Sequence, residues 1–205
     1  MHVNADALLG LQRASLSLSS YRVDSVEIGT DTSTDGLSDG LSPQLWSDTS
    51  QDTFTPSIVE GKQRITAIYG STGNGSVRYG AEVPVQEGRE YMAVARITNA
   101  PPSQSFGTGA VTLSGTTELW GWGDSTERSA STVDASGQGT VFFRATATAT
   151  GTRYARIGIA RQNSTTVAYD IERFTIVDLT ALFETAPNLR DITNAELAAF
   201  LLGMT

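Results

Sequence analysis

The chain has 205 residues, which suits one sizeable β domain with extensions. It has no cysteine, which excludes disulfides and thiolate metal sites, and its sequence has no apolar run long enough to predict membrane insertion. The net charge of −8 disfavours nucleic-acid binding, because a protein of that sign repels phosphate backbones. The first residues lack the basic and apolar pattern of a signal peptide, so export is not expected.

Residues 1–41 are predicted to form an N-terminal arm followed by an acidic linker. Residues 14–28 begin with Leu16 and Leu18 alternating with serines, a pattern typical of an edge strand or an extended arm. The apolar content is low for a free-standing strand. We therefore expect the arm to pair with this domain or with a neighbouring subunit, with Leu16 and Leu18 as assembly contacts.

Residues 31–40 (DTSTDGLSDG) are polar, acidic and interrupted by glycine. The favoured interpretation is a loop or tether, since such a segment buries little apolar surface. The alternative is a structural Ca²⁺ site, because Asp31, Asp35 and Asp39 match positions 1, 5 and 9 of an EF-hand loop. Position 12 is Ser42, where that loop needs a bidentate glutamate, and no helical pattern flanks the segment.

Period-2 patterns predict a β-sandwich over residues 42–180. We expect Trp46 and Phe54 to anchor its start. Strand patterns occur at 62–69, 76–85, 89–98, 108–113 and 116–122, with three more between 139 and 180. Residues 70–75 are expected to join the first two as a hairpin. The total of about eight strands is the number expected of a jelly roll.

The last strand pattern changes face along its length. Val167, Tyr169 and Ile171 share one face, whereas Phe174 and Ile176 fall on the other. This switch predicts a β-bulge near residues 172–173, or a strand that is buried on both sides.

Residues 181–205 are predicted to form a helical tail. Thr193 and Glu196 form a capping-box pattern at the start of its helix. A one-sided helix of three turns is unstable alone, so it must dock on the sandwich or on a neighbouring chain. The apolar residues expected to serve as assembly contacts in this tail are Leu182, Phe183, Leu197, Phe200 and Leu201.

The predicted strand 116–122 carries the best ligand candidates. Trp120 and Trp122 share one face with Glu118, and two indoles so placed can stack on sugar rings. This makes the three residues a candidate carbohydrate-binding site. The competing and favoured interpretation packs the same face into the core.

Catalytic chemistry finds little support in the sequence. The only histidine is His2, which excludes Ser-His-Asp and Cys-His catalysis and multi-histidine metal sites. No carboxylate pair stands out for glycoside hydrolysis. Arg153, Arg156 and Arg161 are the nearest approach to a basic patch, and we expect them at solvated strand ends. The chain is therefore predicted not to be an enzyme.

The order of elements in the last third of the chain resembles a known architecture. A strand, a Thr/Ala-rich strand and a strand ending in Asp178-Leu179-Thr180, followed by Phe183 and a short helix, resemble the carbohydrate-binding-module-like jelly rolls of tailed-phage minor tail and virion structural proteins. Residues 82–91 also resemble the strand, glycine turn and tyrosine strand of such modules. The resemblance covers roughly residues 45 to 202. Residues 184–188 depart from the glycine-rich link that usually follows the phenylalanine.

The resemblance implies an all-β jelly-roll sandwich with an extended N-terminal arm and a short C-terminal helix. It further implies a non-enzymatic structural protein of a tailed-phage virion, such as a minor tail, fibre or capsid decoration component. Its partners would be other virion proteins and further copies of itself, with a trimer as one arrangement, assembled in the bacterial cytoplasm. The alternative is an adsorption module that binds a host-surface glycan, and a third hypothesis is a small β-fold glycosidase.

Overall fold

The computed structural model of the chain describes residues 16–47, 52–70, 75–102, 105–112, 127–128, 131–160 and 166–203. These residues form two antiparallel sheets that pack as a β-sandwich, which confirms the predicted fold class. The described strands are β1 (Ser42–Ser47), β2 (Thr53–Val59), β3 (Lys62–Ile68), β4 (Gly75–Val85), β5 (Glu90–Thr98), β6 (Ser105–Thr112), β7 (Glu127–Arg128), β8 (Ser131–Thr132), β9 (Gly139–Thr146), β10 (Gly151–Ala160) and β11 (Thr166–Asp178).

The two sheets have the strand orders β1-β4-β10-β6-β8 and β2-β3-β11-β5-β9-β7. Strands β3 and β4 lie in different sheets, so the predicted hairpin across residues 70–75 is wrong. Strand β3 instead pairs with β2, which was not predicted as a strand. Pro56 and alternating polar residues obscured that strand in the sequence. The predicted strand 116–122 lies outside the described residues.

The main core lies between the sheets and follows the predicted alternation. On β5, for example, Tyr91, Ala93, Ala95 and Ile97 face inward and are buried. Inward side chains of both sheets interdigitate in this core. Its largest buried members include Ile65, Tyr79, Phe143, Ile157, Tyr169 and Ile176.

The predicted bulge is present in β11. Its pairing with β5 shifts register between Ile171 and Arg173. Ile171 faces the main core before the shift and Phe174 faces it afterwards. The extra residue therefore leaves both Glu172 and Arg173 on the outer face of the six-stranded sheet.

Two helices cover part of that outer face and form a second core. They are α1 (Leu179–Thr185) and α2 (Asn194–Leu202), with short 3₁₀ turns at Leu18–Ser20 and Pro187–Asp191. The predicted capping box of Thr193 and Glu196 begins α2. No described helix combines the length and apolar character that crossing a bilayer requires.

The second core contains the apolar residues that were expected to contact neighbouring subunits. They pack against Met92, Val94, Phe142 and Val177 of the sheet. Leu18 is 6% exposed and Leu16 packs against the cluster. The remaining five, Leu182, Phe183, Leu197, Phe200 and Leu201, are each at most 2% exposed. Their apolar side chains are therefore already buried within this chain, because the outer face of the sheet is apolar beneath the helices.

The described part of the N-terminal arm pairs with the end of β11. The Val23 amide donates to the Ile176 carbonyl and the Asp178 amide donates to the Tyr21 carbonyl, both at 2.9 Å. Of the two predicted partners for the arm, the structure therefore shows this domain. The following residues 31–40 form a loop that packs on β2 and β3 through the buried Gln63.

Candidate functional site

A cavity of about 660 Å³ opens on the outer face of the six-stranded sheet, beside the helices. Outward side chains of β5, β9 and β11 form its floor, and the last turn of α2 forms one wall. Its lining residues are Lys62, Arg96, Thr98, Asn99, Gln138, Thr140, Glu172, Arg173, Ala199, Leu202 and Gly203.

The alternation of β5 explains where the cavity begins. Its outward residues are Met92, Val94, Arg96 and Thr98, in that order along the strand. The first two belong to the second core and lie under the helices. The last two line the cavity, because helix α2 ends at Gly203 and the sheet beyond it is uncovered.

The bulge brings two arginines side by side on the cavity floor. Arg173 lies directly opposite Arg96 in the pairing of β11 with β5. Directly opposed residues of antiparallel strands project to the same face, with Cβ atoms roughly 5 Å apart, and like charges so placed repel each other. Without the extra residue, position 173 would point into the main core, as Ile171 does.

Each of these arginines donates a hydrogen bond to an uncharged oxygen atom. Arg96 Nη2 donates to Gln138 Oε1 at 3.0 Å. Arg173 Nη1 donates to the Leu202 carbonyl at 2.6 Å. This carbonyl belongs to the C-terminal turn of α2, where the helix dipole favours a cation.

Lys62 is the third positively charged residue in the described lining of the cavity. Lys62 Nζ lies 4.0 Å from Glu172 Oε2 and donates to Thr98 Oγ1 at 3.5 Å. The described lining therefore carries three cations and one carboxylate, a formal net charge of +2. The whole chain has a charge of −8. A positive, partly enclosed site on an acidic protein concentrates anionic ligands locally.

An ion pair fixes the rim of the cavity. Arg64 donates to both carboxylate oxygens of Asp170, at 2.7 and 2.8 Å, and Asn99 Nδ2 donates to the same carboxylate at 2.5 Å. Burial alone would raise the pKa of Asp170, but these hydrogen bonds and the Arg64 charge outweigh it and lower that pKa. The ionised Asp170 therefore holds Asn99 in place beside the cavity.

The predicted carbohydrate-binding residues Trp120, Trp122 and Glu118 lie outside the described residues. Stacking of a sugar on the two indoles therefore stays a prediction.

The predicted calcium ligands do not converge. The carboxylate of Asp31 accepts from the amides of Thr34 and Gly36, at 2.7 and 2.8 Å. Asp35 and Asp39 likewise accept from backbone amides of their own loop. Among the described residues, no three aspartate, glutamate, histidine or cysteine side chains lie close enough together to hold a metal ion. These carboxylates fold the loop, as Asx turns do.

The expectation of solvated arginines in β10 is wrong for Arg153 and Arg156. They are only 6% and 8% exposed, and both lie within β10, paired with residues of β4 and of β6, rather than at a solvated strand end. Arg153 donates to the carbonyls of Thr152 and Ala149, at 3.0 and 3.3 Å. Arg161 lies outside the described residues.

Sequence reasoning missed the cavity because its residues come from five separate stretches of the chain. Strand order, which depends on non-local pairing, brings these stretches together. The switch of face at residues 172–173 was the one local signal. It predicted the bulge but gave no indication of which residue Arg173 would face.

Solved structures with similar folds include carbohydrate-binding modules. The chain is similar to a module titled BiXyn10A CBM1, with 16% identity, a TM-score of 0.48 and coverage of 76% of this chain and 98% of that chain. It is also similar to the second N-terminal cellulose-binding domain of Cellulomonas fimi β-1,4-glucanase C. That match has 14% identity, a TM-score of 0.43 and coverage of 80% of this chain and 98% of that chain.

A phage protein also has a similar fold. It is the enzymatically active domain of bacteriophage CBA120 tailspike protein 4, with 10% identity, a TM-score of 0.45 and coverage of 76% of this chain and 21% of that chain. These likenesses concern the fold and assign no ligand, reaction or partner to this chain. No protein-family model matches the sequence, and no curated protein matches it.

Proposed function

We propose that this chain is a non-enzymatic binding module whose ligand is a saccharide held in the cavity beside α2. The observation that carries the proposal is the lining of that cavity. Hydroxyl groups of Thr98 and Thr140, carboxamides of Asn99 and Gln138, and charged side chains surround a space of about 660 Å³. Saccharide hydroxyls donate and accept hydrogen bonds, and this lining supplies partners of both kinds. The volume lies in the range of ordinary ligand sites.

The charged groups of the cavity favour binding over hydrolysis. Glycosidases generally use two carboxyl groups that flank the bond to be cleaved. Glu172 is the sole carboxylate among the described lining residues, and Lys62 lies 4.0 Å from it. The described part of this site can hold a sugar but does not supply the second carboxyl group of that mechanism.

The virion role remains a separate prediction from the resemblance, as do its viral partners, a homo-oligomer and assembly in a bacterial host. It is compatible with saccharide binding, since one fold can support both particle structure and host attachment. Assembly contacts in the described part of the chain would have to use side chains outside the second core, because those of the second core are buried.

A cavity-filling pair of substitutions tests saccharide binding. Ala199→Met with Thr140→Met places two longer side chains in the cavity without adding an aromatic ring that could itself stack on a sugar. The matched control is Ala195→Met with Thr146→Met, which changes exposed positions of the same helix and strand that do not line the cavity. We expect the native chain and the control to bind members of a panel of neutral and acidic oligosaccharides, measured by calorimetry. The cavity-filled variant should bind about tenfold more weakly or worse.

Two results would contradict the proposal. One is a native chain that binds no oligosaccharide of the panel. The other is equal affinity in the cavity-filled variant and its control, which would place the saccharide elsewhere on the chain.

A further inference from the structure

The opposed arginines of the cavity point to a charged group on the ligand. Arg96 and Arg173 face each other across β5 and β11, so both guanidinium groups project from the same face of the sheet and add to the positive potential at Arg96. We propose that the ligand is an acidic saccharide, and that Arg96, flanked by Arg173 and Lys62, binds its carboxylate. This inference rests on the proposed function and names the chemical class of its ligand.

Arg96 differs from other arginines around the same sheet in what it contacts. Arg64, Arg89 and Arg144 each donate to a carboxylate, at 2.7, 2.7 and 2.8 Å respectively. Within the described part of the chain, no carboxylate lies within 4.0 Å of Arg96. Its observed side-chain partner there is the neutral Gln138 Oε1, which orients the guanidinium without forming an ion pair. Hydrogen bonds from Ser136 and Gln138 lower the pKa of Asp134, and the charge of Arg96 also helps to lower it, but less than those hydrogen bonds do.

The other lining groups favour a carboxylate on a sugar over a dense polyanion. The planar guanidinium fork matches a planar carboxylate. The hydroxyls of Thr98 and Thr140 lie on the same floor and can meet sugar hydroxyls. Glu172 also lines the cavity, and its carboxylate would repel a ligand that carries many negative charges. One carboxylate per sugar ring, as in a uronic acid, fits this mixture best.

The experiment compares two forms of one ligand. A uronic-acid oligosaccharide is measured by calorimetry against the native chain, and so is the same oligosaccharide after its carboxyl groups have been reduced to alcohols. We expect the reduced form to bind roughly tenfold to a hundredfold more weakly, the loss of one charge-assisted contact. Binding of the acidic form should also weaken as salt is raised, whereas binding of the reduced form should not.

Arg96→Gln removes the charge and keeps a polar side chain. This variant should lose most of the preference for the acidic form, and the remainder would come from the charges of Arg173 and Lys62 in the same lining. The matched control is Arg190→Gln, which removes the same charge from an exposed residue outside the cavity, packed on the Phe183 ring. The control should keep the preference of the native chain for the acidic form. If Arg96→Gln does not fold, Lys62→Gln is measured instead and should reduce the preference.

The outcomes separate this inference from the proposed function. Equal binding of the acidic and reduced forms by the native chain overturns the acidic ligand and leaves saccharide binding standing. Absence of binding to every saccharide overturns both. A native chain that prefers a sulfated oligosaccharide to a carboxylated one overturns the carboxylate assignment. Retained preference in Arg96→Gln and in Lys62→Gln overturns the role of these side chains.

Discussion

Arg64 and Asp170 face each other across β3 and β11, and the guanidinium donates to both carboxylate oxygens. The exposure of the two partners is unequal, since the Arg64 side chain is 34% exposed and that of Asp170 only 2%. Asn99, at the rim of the cavity, donates to the same carboxylate. The pair therefore links the stability of the sheet to the shape of the candidate site.

Acid should remove the contribution of Asp170 to stability. Its pKa in the folded chain lies below the usual value of 3.8, because hydrogen bonds from Arg64 and Asn99 outweigh the effect of burial. The stabilisation is therefore fully present above pH 3.8 and is lost as the pH falls through the lowered folded pKa. We expect Asp170→Asn to lower the free energy of unfolding at pH 7 by about 2 kcal/mol, because Arg64 loses its ionised partner. Urea unfolding at pH 7 and at pH 3 measures both effects.

The control for that substitution is Asp191→Asn, at an exposed position of the 3₁₀ turn between the two C-terminal helices. It should leave the free energy of unfolding at pH 7 nearly unchanged. The Asp170→Asn deficit should shrink at pH 3, because this carboxyl is then largely protonated in the unfolded native chain, which stabilises that unfolded chain but not the unfolded variant. A deficit that is the same at both pH values would show that the charge of Asp170 contributes nothing.

Gln63 connects the acidic loop to the sandwich. Its Oε1 accepts from the Ser38 amide at 2.5 Å, and its Nε2 donates to the carbonyls of Gly36 and Ser57, at 2.9 and 3.1 Å. Gly36 adopts a φ of +85°, and a Cβ there would lie 2.6 Å from the Pro56 carbonyl oxygen. The loop thus approaches β2 more closely than a residue with a side chain would allow.

Removing the Gln63 amide should release this loop. Gln63→Leu leaves the Ser38 amide and the Gly36 carbonyl without their partner, and we expect a loss of about 2 kcal/mol in the free energy of unfolding. Hydrogen exchange at the Ser38 amide should also accelerate. Gln86→Leu, the same change at an exposed position, should alter neither quantity. Unchanged exchange at Ser38 in Gln63→Leu would mean that other contacts hold the loop.

Local patterns in the sequence were sufficient to predict the sandwich core, the bulge and the capping box of α2. Each depends on residues within a few positions of one another, such as the switch of face between Ile171 and Phe174. One further feature of the fold could be predicted from the sequence. Met92 and Val94 occupy the outward positions of β5 and are apolar, and this indicates that something covers that face. The helical tail is what covers it.

The cavity was not predictable in this way. It requires knowing that β11 lies between β3 and β5, and that helix α2 ends where the polar outward residues begin. Such facts follow from long-range pairing, which leaves no local mark in the sequence. For the same reason the glycine-rich residues 70–75 suggested a hairpin, although the strands on either side belong to different sheets.

Two buried tyrosines should make the fold sensitive to alkali. Burial raises the pKa of Tyr79 and of Tyr154 to about 12 each, whereas a phenol in the unfolded chain ionises near pH 10. The folded chain therefore holds these protons more tightly. Their stabilisation is complete below pH 10 and is lost as the pH rises from 10 through 12, by about 1.4 kcal/mol per pH unit for each ring.

Phenolate absorbance and urea unfolding between pH 9 and pH 12 measure this effect. Tyr154→Phe should be less stable than the native chain at pH 7, because the hydroxyl donates to the Ser42 carbonyl. The variant should nevertheless lose less stability between pH 10 and pH 12, since one fewer buried phenol ionises on unfolding. Parallel stability curves for the two proteins above pH 10 would mean that Tyr154 ionises alike in the folded and unfolded chains. The raised pKa of that residue would then be refuted.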